Sequence, residues 1–98
     1  MYNWIIAIMG WYSMKNVILS ADGELKVYSV PDKIERELEE ICMEFSREGG
    51  CFDEEDFVEW LNRYKYPYQK SEFVENIGFI NDEKDIPAKY RECKWFNF

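Results

Sequence analysis

Ninety-eight residues are enough for one domain, and 47% hydrophobic and 18% aromatic residues exceed what a disordered chain carries. Twelve basic and twenty acidic side chains give a net charge of −8, which disfavours direct contact with nucleic acid. No histidine is present, so the commonest general base and metal ligand is excluded, as is every Ser-His or Cys-His arrangement. We therefore expect one domain over residues 1–98 that is not an enzyme and needs no cofactor.

The N-terminus contains a short apolar run, Trp4–Met9, which is compatible with a strand over residues 3–9. The run is too short for a membrane span or the core of a signal peptide, and no basic residue precedes it. We therefore expect a cytoplasmic protein with no membrane contact. The sequence from Met14 onward reads like the start of a compact domain, so residues 1–13 are either an extension or a first strand.

The cysteines are Cys42, Cys51 and Cys93. Their number is odd and no two have C-x-x-C spacing, which predicts neither a disulfide framework nor a zinc site. We expect reduced thiols that pack as small hydrophobic groups.

A hairpin is predicted over residues 16–30. Two strand-like runs, Asn16–Ser20 and Glu24–Val30, flank Ala21-Asp22-Gly23, and Asp-Gly tolerates the positive φ that tight turns require. The hairpin is expected to belong to a small antiparallel sheet that packs on two helices.

A first helix is predicted over residues 31–48. Pro31 suits a first helical turn, and the following acids complement the positive end of the helix dipole. An amphipathic stripe follows, made by Ile34, Leu38, Ile41 and Phe45, and Gly49-Gly50 ends the helix.

A second helix is predicted over residues 53–65. Asp53 is the expected N-cap, and Phe52 and Phe57 have the spacing of a hydrophobic staple. The helix must end before Pro67, because the residue preceding a proline avoids the α region. Its expected buried face consists of Phe57, Trp60, Leu61 and Tyr64.

The C-terminal third is less regular. Residues 72–80 alternate as a strand would, with Phe73, Glu75, Ile77 and Phe79 on one side, although a helical turn through Glu75 competes. Residues 87–93 are compatible with one or two helical turns, and the aromatic end, residues 94–98, must dock on the domain or on a partner. The fold class predicted from these elements is α+β.

A partial calcium motif lies at the junction of the two helices. Residues 50–57 mimic the second half of an EF-hand loop, with glycine at position 6 and an acid at position 12. The first half would place Phe45, Arg47 and Gly49 where oxygen ligands are required, so we expect no calcium site, and no other metal site.

The negative charge is concentrated in residues 32–59, which hold twelve acids and three bases, a net charge of −9, while the remaining residues net +1. Met43 lies opposite the apolar stripe of the first helix, surrounded by charged side chains. Such a face either keeps an aromatic-rich protein soluble or contacts a basic surface around an apolar anchor. The aromatic end likewise either closes the core or anchors a partner. The candidate partner-binding residues are Glu39, Glu40, Met43, Glu44, Glu55, Glu59, Trp95 and Phe96.

Two stretches, MKNVILSADGELKVYSVPD from Met14 and IPAKYRECKWFNF to Phe98, resemble small acidic proteins of Gram-positive gut bacteria and their phages. In size and charge the chain is also similar to phage inhibitors of host defence nucleases, such as anti-CRISPR proteins. That second likeness implies an inhibitor that occludes a basic nucleic-acid-binding surface, and it assigns no role to any residue.

Three functions remain open at this point. The first is a non-enzymatic protein that binds a basic protein surface. The second is a structural or regulatory domain that forms homo-oligomers through its aromatic surface. The third is a small enzyme or ligand binder with a pocket under the aromatic tail.

Overall fold

A computed structural model of the protein describes residues 13–48 and 53–98. Three predictions lie wholly or partly outside the described residues. They are the strand at residues 3–9, the interpretation of residues 1–13, and the predicted staple contact of Phe52 with Phe57.

The predicted hairpin is confirmed. Strand β1 (Met14–Ser20) pairs antiparallel with β2 (Glu24–Pro31). Gly23 adopts a φ of +96°, which a residue with a side chain rarely adopts. Its amide donates to Ser20 Oγ at 3.1 Å, and the Glu24 amide donates to Asp22 Oδ1 at 3.2 Å, so the turn is closed by its own polar side chains.

The predicted helix over 31–48 is divided into two helices, α1 (Asp32–Arg36) and α2 (Leu38–Arg47). Pro31 ends β2 with a ψ of 147° and precedes the helix rather than occupying its first turn. The break falls at Glu37, with φ −112° and ψ 26°. Lys94 Nζ donates to the carbonyls of Glu35 and Arg36, both at 3.1 Å. In a continuous helix these carbonyls would accept from the amides four residues later, and at the break Lys94 supplies a donor to them.

The second predicted helix is confirmed as α3 (Glu54–Trp60), which continues into a π-helical segment (Leu61–Lys65). Asp53 is the N-cap, since its Oδ1 accepts from the Glu55 amide at 3.1 Å. The π segment ends with a bond from the Tyr66 amide to the Leu61 carbonyl at 2.8 Å. Each turn of a π-helix contains more residues than an α-turn, so Tyr64 is rotated out of the predicted buried face and is 73% exposed.

The sheet has four strands in the order β3-β2-β1-β4. Strand β3 (Glu72–Phe79) confirms the prediction for residues 72–80, and β4 (Trp95–Asn97) is formed by the aromatic end. Between them two 3₁₀ turns, Glu83–Asp85 and Ala88–Tyr90, carry the chain across the sheet. Strand β4 therefore pairs parallel with β1, and the sheet is mixed rather than antiparallel as predicted.

Strand β3 does not follow the predicted alternation of side chains. Two irregularities, opposite Leu25/Lys26 and Val27/Tyr28, each insert one extra residue into β3. Phe73 and Phe79 consequently share a face with Tyr28 and Glu24, whereas Glu75 and Ile77 lie on the other face. A strict period of two cannot survive a bulge, and a sequence pattern of eight residues does not reveal one.

The core has two parts, one on each face of the sheet. On the helix face, Val17, Leu19, Tyr28 and Val30 pack on the helices, whose buried side chains are Ile34, Leu38, Ile41, Cys42, Phe45, Phe57, Val58 and Leu61. On the loop face, Ile18, Leu25 and Val27 pack on Ile86 and Tyr90. The predicted α+β class is confirmed. No helix in residues 13–48 or 53–98 has the length and apolar character needed to cross a membrane.

Candidate protein-binding face

The two long helical segments lie side by side on the sheet. The Phe45 ring of α2 contacts Phe57 and Trp60 of α3, with ring centroids 5.5 and 5.4 Å apart. Trp60 Nε1 donates to Glu48 Oε2 at 3.2 Å, and Lys65 Nζ lies 2.8 Å from Glu44 Oε1. The chain therefore runs in opposite directions in α2 and α3, and the outward sides of the two segments form one layer above the sheet.

The outward side of α2 carries Glu39, Glu40 and Met43, all exposed, with 48% of Met43 accessible. Met43 was predicted to lie opposite the apolar stripe of this helix, and it does, because the stripe from Ile34 to Phe45 is buried on the other side. Within the described part of the chain, the carboxylates of Glu37, Glu39 and Glu40 have no basic group within 4.0 Å. The beginning of α2 therefore carries three carboxylates that form no ion pair with a described base.

The other predicted carboxylates have cationic neighbours. Glu44 pairs with Lys65, and Glu59 pairs with Arg63 at 3.1 Å. Glu55 lies 3.8 Å from Lys26 Nζ, although 71% of its side chain is exposed. These three carboxylates contribute less to the external field than residues 37–40 do.

A groove runs between the start of α2 and strand β4. It has a volume of about 420 Å³ and is lined by Arg36, Glu37, Leu38, Glu39, Glu40, Lys94 and Trp95. Lys94 is bound to the carbonyls at the end of α1, and Arg36 lies 3.4 Å from Asp32, so both cations of the groove already have acceptors. Trp95, at the edge of the groove, is 52% exposed.

Glu39, Glu40 and Trp95 all line this groove, with Met43 one turn further along α2. Trp95 pairs with Ile18 in the sheet, so its side chain lies toward the loop face. Glu55 and Glu59 lie on α3, away from this groove. Phe96 and Phe98 pack against the main core, and Phe98 lies 5.1 Å from Phe57 between ring centroids. The aromatic end thus closes the core with two of its rings, as one of the two alternatives predicted, and leaves the third exposed.

Two contributors to this site were missed by sequence reasoning. Glu37 was not singled out, because it lies within the predicted single helix and no pattern marks it as unpaired. Lys94 looked like one more surface base, and its contact with Glu35 and Arg36 joins residues far apart in the chain. No local signal identifies either role.

The hollow under the aromatic tail offers little for chemistry. It has a volume of about 360 Å³ and is lined in part by Tyr90, Arg91, Cys93 and Trp95. Arg91 donates to the carbonyls of Ile86 and Lys84 at 3.1 and 2.9 Å, and burial raises the pKa of the Cys93 thiol, which disfavours the nucleophilic thiolate. Within residues 13–48 and 53–98 no group of three or more acidic or cysteine side chains could hold a metal ion.

No protein-family model matches the chain, and no curated protein and no solved structure is significantly similar to it.

Proposed function

We propose that this protein is a non-enzymatic binding protein that docks the outward side of α2 and the neighbouring groove on a basic protein surface. The observation that carries the proposal is the concentration of Glu37, Glu39 and Glu40, none paired with a described base within 4.0 Å, in the groove that half-exposed Trp95 also lines. Uncompensated carboxylates attract a basic surface, and a half-exposed tryptophan supplies the apolar contact that dominates many interfaces.

Lysine and arginine side chains match this groove in chemistry. A guanidinium or ammonium group can pair with the carboxylates and also lie against the face of an indole ring, an attraction worth about 0.5–1 kcal/mol at an exposed site. Each exposed ion pair adds only about 0–1 kcal/mol. We therefore expect affinity to arise from several contacts together, and association to slow as salt rises.

The biological consequence that we propose is occlusion. A row of carboxylates along a helix occupies the same cationic side chains that would otherwise contact phosphate groups. A protein bound through α2 would therefore lose access to nucleic acid, which is how an inhibitor of a host defence nuclease would act. The cytoplasm is the compartment that this function requires.

The first experiment measures binding to a fluorescein-labelled peptide of alternating lysine and arginine by anisotropy. The triple variant Glu37→Gln, Glu39→Gln, Glu40→Gln should weaken binding at least tenfold. A control with the same net charge, Glu55→Gln, Glu59→Gln, Glu72→Gln, should change it less than threefold. Equal losses in the two triple variants would mean that net charge alone drives binding, and would overturn the proposed site.

The second experiment tests occlusion. The same peptide is bound first to a fluorescent DNA duplex, and the protein is then added. We expect the protein to release the duplex, and the variant at residues 37, 39 and 40 to fail to do so. A ternary complex in which peptide, duplex and protein remain together would contradict occlusion while leaving the binding site intact.

A further inference from the structure

Strand β3 forms an edge of the sheet and exposes apolar side chains there. Phe73 is 56% exposed, Val74 44% and Phe79 70%, and β2 is the only described strand that pairs with β3. An edge of this kind is a template for pairing with a further strand. Strand β3 is the edge of the sheet opposite β4, so its surface is separate from the groove between α2 and β4.

The bulges give β3 a pattern of faces that is symmetric about Asn76. Asn76 lies opposite Lys26 on the helix face. On either side of it, Glu75 and Ile77 occupy the loop face, and further out Phe73 and Phe79 occupy the helix face. A two-fold axis through Asn76 would therefore place helix-face residues opposite helix-face residues, which antiparallel pairing requires.

We propose that β3 pairs antiparallel with β3 of a second copy of this chain, with the two-fold axis at Asn76. In this register Phe73 lies opposite Phe79 of the second copy, which makes two aromatic cross-strand pairs. A slip of one residue would place helix-face residues opposite loop-face residues. A slip of two residues in either direction would place Phe73 opposite Ile77 or Phe79 opposite Glu75, so that helix-face residues would again meet loop-face residues.

The charges that flank β3 fit the same register. Lys70 precedes the strand and Asp82 follows it. With the axis at Asn76, Lys70 of each copy lies at the same end of the strand pair as Asp82 of the other. The Asp82 carboxylate also accepts from the Lys84 amide at 3.1 Å and lies 3.9 Å from Lys84 Nζ. Glu75 brings little repulsion, because Lys89 Nζ lies 3.4 Å from its carboxylate. A surface that carries a base at one end and an acid at the other is complementary to itself under a two-fold rotation.

The contact should be weak. The Gly78 amide already donates to Asn76 Oδ1 at 2.8 Å, and the bulges interrupt the ladder, so side chains contribute more than backbone bonds. Each exposed phenylalanine offers part of the roughly 150–250 Å² that an aromatic side chain buries, which places the interface below the ~1,200 Å² of stable complexes. We therefore expect dissociation constants between micromolar and millimolar.

Sedimentation equilibrium across that concentration range tests the proposal on the full chain. The protein should show a monomer–dimer equilibrium, and Phe79→Ser should raise the dissociation constant at least tenfold. Tyr64→Ser is the matched control, since Tyr64 is 73% exposed but lies away from β3, and it should leave the equilibrium unchanged. A monomer at every concentration, or a dimer that Phe79→Ser does not weaken, would overturn the proposal.

Cysteine cross-linking tests the register. In a background with Cys51→Ser and Cys93→Ser, Asn76→Cys should form a disulfide dimer readily, because residue 76 faces itself across the axis. Glu72→Cys should not, because residue 72 faces residue 80 of the second copy. Equal cross-linking of the two variants would contradict this register. Lys70→Asp should weaken the dimer, because it places a further acidic group at the end of the strand pair where Asp82 of the other copy lies.

Discussion

Substitution of Lys26 by methionine should destabilise the fold far more than loss of a surface ion pair. Lys26 Nζ lies 2.6 Å from Glu54 Oε1, and 18% of the lysine side chain and 3% of the glutamate side chain are exposed. The hydrogen bond and the charge of Glu54 raise the pKa of Lys26, against the opposing effect of burial. Removing one partner of a buried pair costs about 3–5 kcal/mol, because the other charge is left without compensation.

The carboxylates around the Lys26–Glu54 pair support a loss of about 3–5 kcal/mol in the free energy of unfolding. Glu24 and Glu55 lie 3.9 and 3.8 Å from the same ammonium group, so Lys26→Met leaves three carboxylates without their shared cation. Glu55→Gln is the control, since its side chain is 71% exposed, and it should change stability by about 1 kcal/mol at most. The double variant Lys26→Met, Glu54→Leu should recover most of the loss, since an apolar pair of similar volume often matches a buried ion pair.

Urea denaturation followed by tryptophan fluorescence measures these differences, provided that the dependence on urea is the same in every variant. For a domain of this size a loss of 3 kcal/mol also lowers the melting temperature by roughly 12–24 °C. A loss below about 1 kcal/mol for Lys26→Met, or a double variant less stable than the single one, would refute the argument that the buried carboxylate depends on this lysine.

Three further predictions concern pH, the groove and a helix cap. Burial raises the pKa of the Cys42 thiol from 9.0 to about 12 and, with the charge of Glu54, raises the pKa of the Tyr28 hydroxyl from 10.0 to about 12. The unfolded chain therefore loses these protons first, and each such group should lower the free energy of unfolding by about 1.4 kcal/mol per pH unit above its ordinary pKa. In a denaturation series across pH, Cys42→Val should remove one share of the fall that begins near pH 9.0, and a share from Cys93 should remain, because its pKa is raised as well. Lys94→Met should tighten binding of the basic peptide several-fold in the anisotropy assay, because it removes a cation from the groove; weaker binding would mean that the lysine's support of the α1 end matters more. Asp53→Ala should cost about 1 kcal/mol in urea denaturation by removing the N-cap of α3, and no change would mean that the cap adds nothing.

The sequence predicted those features that depend on neighbouring residues. The hairpin follows from Asp22-Gly23, and α3 begins where Asp53 can cap it. The stripe from Ile34 to Phe45 is buried because the spacing of apolar residues along a helix decides which side faces a core. In each case a signal within a few residues was sufficient.

The features that were not predicted depend on contacts between distant parts of the chain. At the break beside Glu37 the free carbonyls accept from Lys94, which lies more than fifty residues away. The bulges of β3 appear only when the strand is laid against β2, and the parallel direction of β4 depends on the route of the loops across the sheet. The candidate groove could not be predicted from the sequence for the same reason, because α2 and Trp95 come together only in the folded protein.

We propose that the charge that binds a basic partner is concentrated at the start of α2, in the groove that Trp95 also lines. A two-dimensional proton–nitrogen NMR titration with the lysine- and arginine-containing peptide tests it most directly, with the indole signal of Trp95 assigned from Trp95→Phe. We predict saturable shifts of the Trp95 indole and of the Glu39 and Glu40 amides, reduced at physiological salt, while the Trp60 indole stays in place. Shifts centred on Glu55 and Glu59, or an unmoved Trp95 at saturation, would contradict the account.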